Sequence, residues 1–220
     1  QYKFASDRLG ESIHRALSLL SCSATWSAFV DSWRDRSSIN PSIASIPHVA
    51  APYLDRLRRH GIPVATSTAP WPPMVRQACL LRNSHPSAAE HLDFVRDEMA
   101  DFCEKGFWAV LPYAAIAHHP RLRLSPLGCI PQRDRRPRLI TDLTFNAVNA
   151  ETVRLGPSEA MQFGRALQRI LFRLRHANPA FGPTYLCKID ISDGFYCIGL
   201  AADSAPVLAV ALPPMPGEPA

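Results

Sequence analysis

The chain contains no run of 18 apolar residues, which excludes an obvious transmembrane helix. Its start lacks the long apolar stretch of a secretory signal and has no initiator Met, which fits a fragment or a processed product. Its six cysteines form no CxxC pair. Cys22, Cys79, Cys103, Cys129, Cys187 and Cys197 read as reduced, mostly buried thiols of an intracellular protein, cytoplasmic or nuclear rather than secreted. There is no GxxxxGK[ST] loop, no GxGxxG and no GxSxG elbow, so P-loop, dinucleotide-binding and serine-hydrolase chemistries have no anchor. His118-His119 has no HExxH context and reads as a loop pair rather than as zinc ligands. No internal repeat is visible.

What the chain has in excess is arginine in one place. Residues 121–138 carry Arg121, Arg123, Arg133, Arg135, Arg136 and Arg138 against Asp134 alone, a net +5 equal to the excess of the whole chain. A localised patch suggests an anionic partner better than a uniform surplus does. Hydrophobic residues make up 47% of 220, enough for a packed core. The 21 prolines predict ordered pieces joined by extended loops.

Hydrophobic spacing predicts helices over 7–35 (Leu9, Ile13, Leu17, Leu20, then Trp26, Phe29, Val30, Trp33) and a short one in "APYLDRLRRHGIP", stopped by Gly61 and Pro63. "TSTAPWPPM" reads as loop. The clearest helix is 87–105, with Ser87 as N-cap, Glu90 completing a capping box and Gly106 beyond its end. Its acidic residues Glu90, Asp97, Asp101 and Glu104 fit a solvated face better than a metal site. "FWAVLPY" reads as a strand. "LSPLGCIPQ" and "PRLITDL" read as a β-hairpin whose polar turn, Asp134 to Arg136, is studded with arginine. A second helix over 158–176 would bury Ala160, Phe163, Gly164, Leu167, Ile170, Leu171 and Leu174, with Arg165, Arg169 and Arg173 on another face. A strand from Tyr185 to Asp190 follows.

Two sites follow from these elements. The arginine tip fits bidentate pairing with a triphosphate or a nucleic-acid backbone, and equally a soluble arginine-rich loop. "KIDISDGFY" puts Asp190 and Asp193 at the end of an apolar run. Carboxylates are costly to bury unpaired, so they meet solvent, a hydrogen-bonding partner or a hard cation such as Mg²⁺. A solvated turn is the plainer alternative. An EF-hand register starting from Asp190 fails, because glycine falls one position early.

The order of pieces matters more than any one of them. A capped helix runs into "KGFWAVLP", then "SPLGCIPQRDRRPRLITDLTFNAVN", a helix, and "KIDISDGFY". This series, over about residues 87–212, resembles the fingers and first palm motif of retroelement reverse transcriptases. The resemblance implies an α+β (mixed α/β) architecture: fingers plus a partial palm of a right-hand polymerase fold over 87–220, truncated at its C-terminus. Residues 1–86 form a mainly helical region of unknown role. By position, Asp190 matches the catalytic metal-binding aspartate and the carbonyl of Ile191 a further metal contact. Asp193 and Gly194 match residues lying against the incoming triphosphate, and Phe195 matches the aromatic that crowds the sugar 2′ position. Arg138 matches a triphosphate-contacting arginine, and Arg133 does so more loosely. Arg135 and Arg136 would contact nucleic acid. Asp142 and Asn149 match a supporting hydrogen-bonded pair.

The implied ligands are an RNA or DNA template–primer, a deoxynucleoside triphosphate and Mg²⁺ or Mn²⁺, with no membrane. The implied partners are missing palm and thumb segments of the same polyprotein. Two-metal nucleotidyl transfer needs further carboxylates. After Asp193 only Asp203 and Glu218 are acidic, and neither forms the family's later "Y-x-D-D" pair. The site is therefore expected to be incomplete and the 220 residues inactive alone. The other readings are a non-catalytic nucleic-acid-binding module derived from such a domain, and an unrelated α/β protein whose Asp190 only caps a strand. The hydrophobic tail "VLAVALPPM" is expected to continue into the missing palm.

Overall fold

A computed structural model describes residues 7–34, 45, 47–153, 166–187, 194, 196 and 198–214. They fall into two units, 1–153 with 196–220, and 154–195. The protein is mixed α+β. In the larger unit, helices α1 (Arg8–Cys22), α2 (Trp26–Arg34), α3 (Ala51–His60), α4 (Pro73–Arg82), α5 (Pro86–Glu90), α6 (Leu92–Glu104) and α7 (Tyr113–Ile116) precede strands β1 (Leu124–Gln132) and β2 (Arg135–Thr141), followed by α8 (Val148–Glu151). No helix among the described residues is long and apolar enough to cross a membrane.

Helix α1 starts where Asp7 caps it, its carboxylate accepting the Gly10 N–H at 2.8 Å. Its stripe of Leu9, Ile13 and Ala16 meets Phe29, Val30 and Trp33 of α2 and Val95, Met99, Phe102 and Cys103 of α6 in one core. A second core joins Trp71, Cys79, Leu122, Leu124, Val148 and Val207. Strand β1 contributes to both, with Leu127 in the first and Leu124 in the second. Residues 7–34 and 87–104 therefore share one hydrophobic interior.

The helix expected over 87–105 is two helices. The chain breaks at His91, and Ser87 caps neither piece: its hydroxyl accepts the Cys129 N–H of β1 at 3.2 Å. Pro86 opens α5 instead, since it lacks the N–H that a cap would satisfy. Gly106 does end α6 as expected, at φ 69°, with Gly106 N–H bonded to the Cys103 carbonyl and Phe107 N–H to that of Phe102, a Schellman turn. "FWAVLPY" is not a strand. Phe107 and Trp108 cluster with Phe102 and Tyr196, the Trp108 carbonyl accepts the Trp33 indole N–H at 2.8 Å, and Tyr113 begins α7. Ring packing overrides strand propensity here. Helix α4, begun by Pro73, lies partly in a stretch read as loop.

The hairpin is present, with its tip at Arg133–Asp134 and Asp134 in the left-handed region at φ 56°. The sheet order is β2-β1-β3, where β3 (Ala209–Ala211) runs parallel to β1. The segment "VLAVA" thus does not lead away from this unit; it completes its sheet. Cys79, Cys103 and Cys129 are buried free thiols; burial pushes Cys103 up to about 11 and makes it inert.

In the smaller unit, α9 (Ala166–Arg175) is followed by a 3₁₀ turn at Pro179–Phe181. The first half of the predicted 158–176 helix lies outside the described residues. Leu167, Ile170 and Leu171 are exposed, contrary to the buried face expected of them. Tyr185, Leu186 and Cys187 are exposed and not in a strand, since no neighbour among the described residues supplies the ladder a strand requires.

The return of the chain to the larger unit makes one exacting contact. Ile62 and Leu200 form a parallel bridge, closed by Ile62 N–H to Gly199 O and Ala201 N–H to Ile62 O, each 2.8 Å. Gly61, at φ 77°, lies against it: a Cβ there would overlap the Leu200 carbonyl group. Gly106 has similar left-handed backbone but ordinary space around it. Gly106→Ala is therefore expected to cost only the conformational strain, roughly 1–2 kcal/mol, while Gly61→Ala costs distinctly more. Thermal melts of the two variants check this, and equal losses in Tm would remove the proposed role of the bridge.

Candidate nucleic-acid interface

The candidate surface lies on the hairpin, and the hairpin is held at its base by one buried cluster. Arg123, 1% exposed, donates from Nε to Glu151 Oε2 at 2.7 Å and from Nη2 to Thr68 Oγ1 and the Ala69 carbonyl at 2.9 and 3.1 Å. Trp71 donates its indole N–H to the same carboxylate and lies 5.1 Å beneath the guanidinium. Burial pushes the Glu151 carboxyl up, but hydrogen bonds from Trp71, Thr68 and Arg123 outweigh it and hold the group below its ordinary value of 4.5.

Where β2 ends, Asp142 turns the chain. Its Oδ1 accepts the N–H groups of Thr144 and Phe145 at 3.1 and 3.0 Å, and its Oδ2 meets His85 Nε2 at 3.1 Å. Burial raises this carboxyl, and the bonds from Phe145, His85 and Thr144 more than reverse the effect. Asn149 donates from Nδ2 to Thr144 Oγ1 at 2.8 Å. The two members of the expected pair thus meet through Thr144 rather than directly. Asn146 Nδ2 closes the turn onto the Leu124 carbonyl at 2.7 Å.

The tip arginines differ from one another. Arg133 is nearly fully exposed, with Asp134 at 3.7 Å and equally exposed. Arg135 and Arg138 are exposed, and no ion pair holds them among the described residues. Arg136 instead reaches α6: its Nη2 lies 2.7 Å from Glu98 and 3.9 Å from Asp101, and its guanidinium carbon 5.2 Å from the Phe94 ring centre. Phe94 and Glu98 stand four residues apart on one helix face, the spacing at which helical side chains are neighbours. That spacing was the available signal for residues that the sequence reading did not single out.

Gly194 is half-buried in a turn of the smaller unit. Asp190, Ile191, Asp193 and Phe195 lie outside the described residues. Among the described residues no three His, Cys, Asp or Glu side chains come together as a metal site. Asp203, one of the two later acidic residues, is exposed in the 3₁₀ turn Ala202–Leu208. No protein-family model, curated protein or solved structure matches the chain.

Because the folded Glu151 carboxyl is held below 4.5, its contribution to stability is complete above that pH and is lost as pH falls through the lower folded value. Glu151→Gln is expected to destabilise the protein by on the order of 3 kcal/mol at neutral pH, since it leaves Arg123 buried without its counter-charge. It is also expected to shallow the loss of stability below pH 4.5. Urea unfolding along a pH series measures both. An unchanged acid limb would show that the pair does not hold the hairpin base.

Proposed function

We propose that this chain is the fingers and first palm motif of a retroelement reverse transcriptase, contributing phosphate contacts to template-directed DNA synthesis in a longer polymerase. The observation that carries the reading is the hairpin: it presents Arg133, Arg135 and Arg138 unclamped at and near its tip, and a turn in which Asp142 and Asn149 are joined through Thr144 follows it. Guanidinium groups pair bidentately with phosphate oxygens; Arg135 and Arg138 have no ion pair among the described residues to give up, and Arg133 only a long, solvent-exposed one with Asp134.

In this reading Arg138 and Arg133 meet the triphosphate, Arg135 the nucleic-acid backbone, and Asp193, Gly194 and Phe195 shape the nucleotide pocket. Asp190 and the Ile191 carbonyl would hold Mg²⁺ or Mn²⁺, which supplies positive charge against the phosphates. The later carboxylates of a two-metal site are not among these 220 residues, so no catalytic step is assigned to the chain alone.

Anisotropy titrations of a labelled primer–template across a salt series test the interface. The wild type is expected to bind with log K falling linearly against log salt. Arg133→Ala/Arg135→Ala/Arg138→Ala is expected to reduce that slope by roughly two to three. Equal, salt-insensitive binding by both proteins would sink the nucleic-acid reading. Primer extension with Mg²⁺ or Mn²⁺ is expected to yield no product from this chain, and template-dependent synthesis would overturn the incomplete-site assignment.

A further inference from the structure

The register of the hairpin explains why one of its arginines behaves differently. Ile130 pairs with Arg138 and Gln132 with Arg135, so a single residue of β1, Pro131, stands opposite two of β2, Arg136 and Pro137. This is a β-bulge, and it interrupts the alternation that would otherwise place Arg136 and Arg138 on one face. The bulge coincides with Pro131 and Pro137, neither of which can donate to the ladder. The bulge leaves Arg136 against α6, in contact with Phe94, Glu98 and Asp101.

That contact is tied to the core. Helix α6 is buried through Val95, Met99 and Phe102. Its Asp101 also accepts from Arg8 of α1 at 2.7 Å, and Arg8 continues to Glu104 at 2.8 Å. Glu98 is itself four-fifths buried. Recruiting the Arg136 Nη2 to a phosphate would displace a shielded carboxylate, although the side chain as a whole is 57% exposed and its other N–H groups stay accessible. A phosphate could recruit Arg135 or Arg138 without displacing any ion pair formed among the described residues.

We propose that Arg136 is a positioning residue: clamped by Glu98 and Phe94 of α6, it fixes the hairpin and makes no phosphate contact itself, leaving Arg133, Arg135 and Arg138 to the ligand. The assignment of a ligand rests on the nucleic-acid reading above; the clamp does not, and can be measured without one.

Two measurements test it on the full chain. In the salt series, Arg133→Ala and Arg138→Ala are each expected to lower the slope of log K against log salt by about 0.9, the increment for one duplex phosphate contact. Arg136→Ala is expected to leave the slope unchanged while weakening binding by a similar factor at every salt concentration. In amide hydrogen exchange without nucleic acid, Arg136→Ala and Glu98→Ala are each expected to accelerate exchange at the hairpin amides of Ile130 and Arg138 without accelerating it at the core amides of α1. Glu98→Arg combined with Arg136→Glu is expected to recover protection relative to either single charge reversal, which a merely structural role of one residue would not give. A slope loss of about 0.9 in Arg136→Ala, unaltered exchange in Glu98→Ala, or no recovery in the swapped pair would each overturn the proposal. Salt-insensitive binding by the wild type would remove its ligand half, and the exchange results would decide the clamp on their own.

Discussion

A guanidinium sealed from water at the foot of a hairpin is the constraint from which the rest of this structure follows. Arg123 cannot be deprotonated, so its burial requires a counter-charge and several acceptors. Glu151 supplies the charge from α8, beyond the far end of β2; Thr68 and Ala69 supply acceptors from a loop that precedes α4. Ser67 then bonds the Glu151 carbonyl through its own N–H, at 2.8 Å. Three segments distant in sequence are thereby held at the start of β1. The register of the hairpin is set between that foot and the bulge, and everything the tip can offer a ligand depends on it.

The same accounting changes what the basic patch is. As a string, residues 121–138 look like six equivalent cations with one anion. In the fold, Arg121 donates to the Val64 carbonyl and Arg123 is neutralised by Glu151. Arg136 is paired with α6. Of the six, Arg133, Arg135 and Arg138 have no ion pair with a carboxylate from another element among the described residues. Half of the sequence-level patch is thus structural, which moves the field from the length of the hairpin to its tip.

The hairpin was legible because alternation and a short polar turn are local signals, and both strands appear within a residue or two of where the pattern put them. Helix α1 and the end of α6 were legible for similar reasons, through an apolar stripe and a glycine at the C′ position. What failed was non-local. Ser87 has every attribute of a cap, yet β1 claims its hydroxyl. "FWAVLPY" has strand composition, yet its rings are worth more against Phe102 and Tyr196. Arg136 is indistinguishable from its neighbours in the sequence, and only the fold, where a bulge interrupts the register, places it against another helix. Strand β3 could not be recognised from three alanine- and valine-containing residues, because its partner is a parallel strand far upstream.

Strand order bears on the arginines in a second way. With β1 paired on both sides, β2 is an edge of the sheet, and an open edge invites pairing with another chain. Charged side chains and a proline along such an edge discourage that, so the arginines of β2 with Pro137 would have a physical reason to exist even without a ligand. The two roles make different demands. Edge protection is served by charge anywhere along β2 and is indifferent to whether Arg133, beyond the strand, carries any. A phosphate site needs its cations clustered, unpaired and held on a backbone that does not wander. A bulge also blunts an edge, so it serves both demands; the Glu98 clamp and the buried Arg123–Glu151 foot serve the second. On the proposed reading, an exposed Arg133 beyond the end of the strand is what edge protection leaves unexplained.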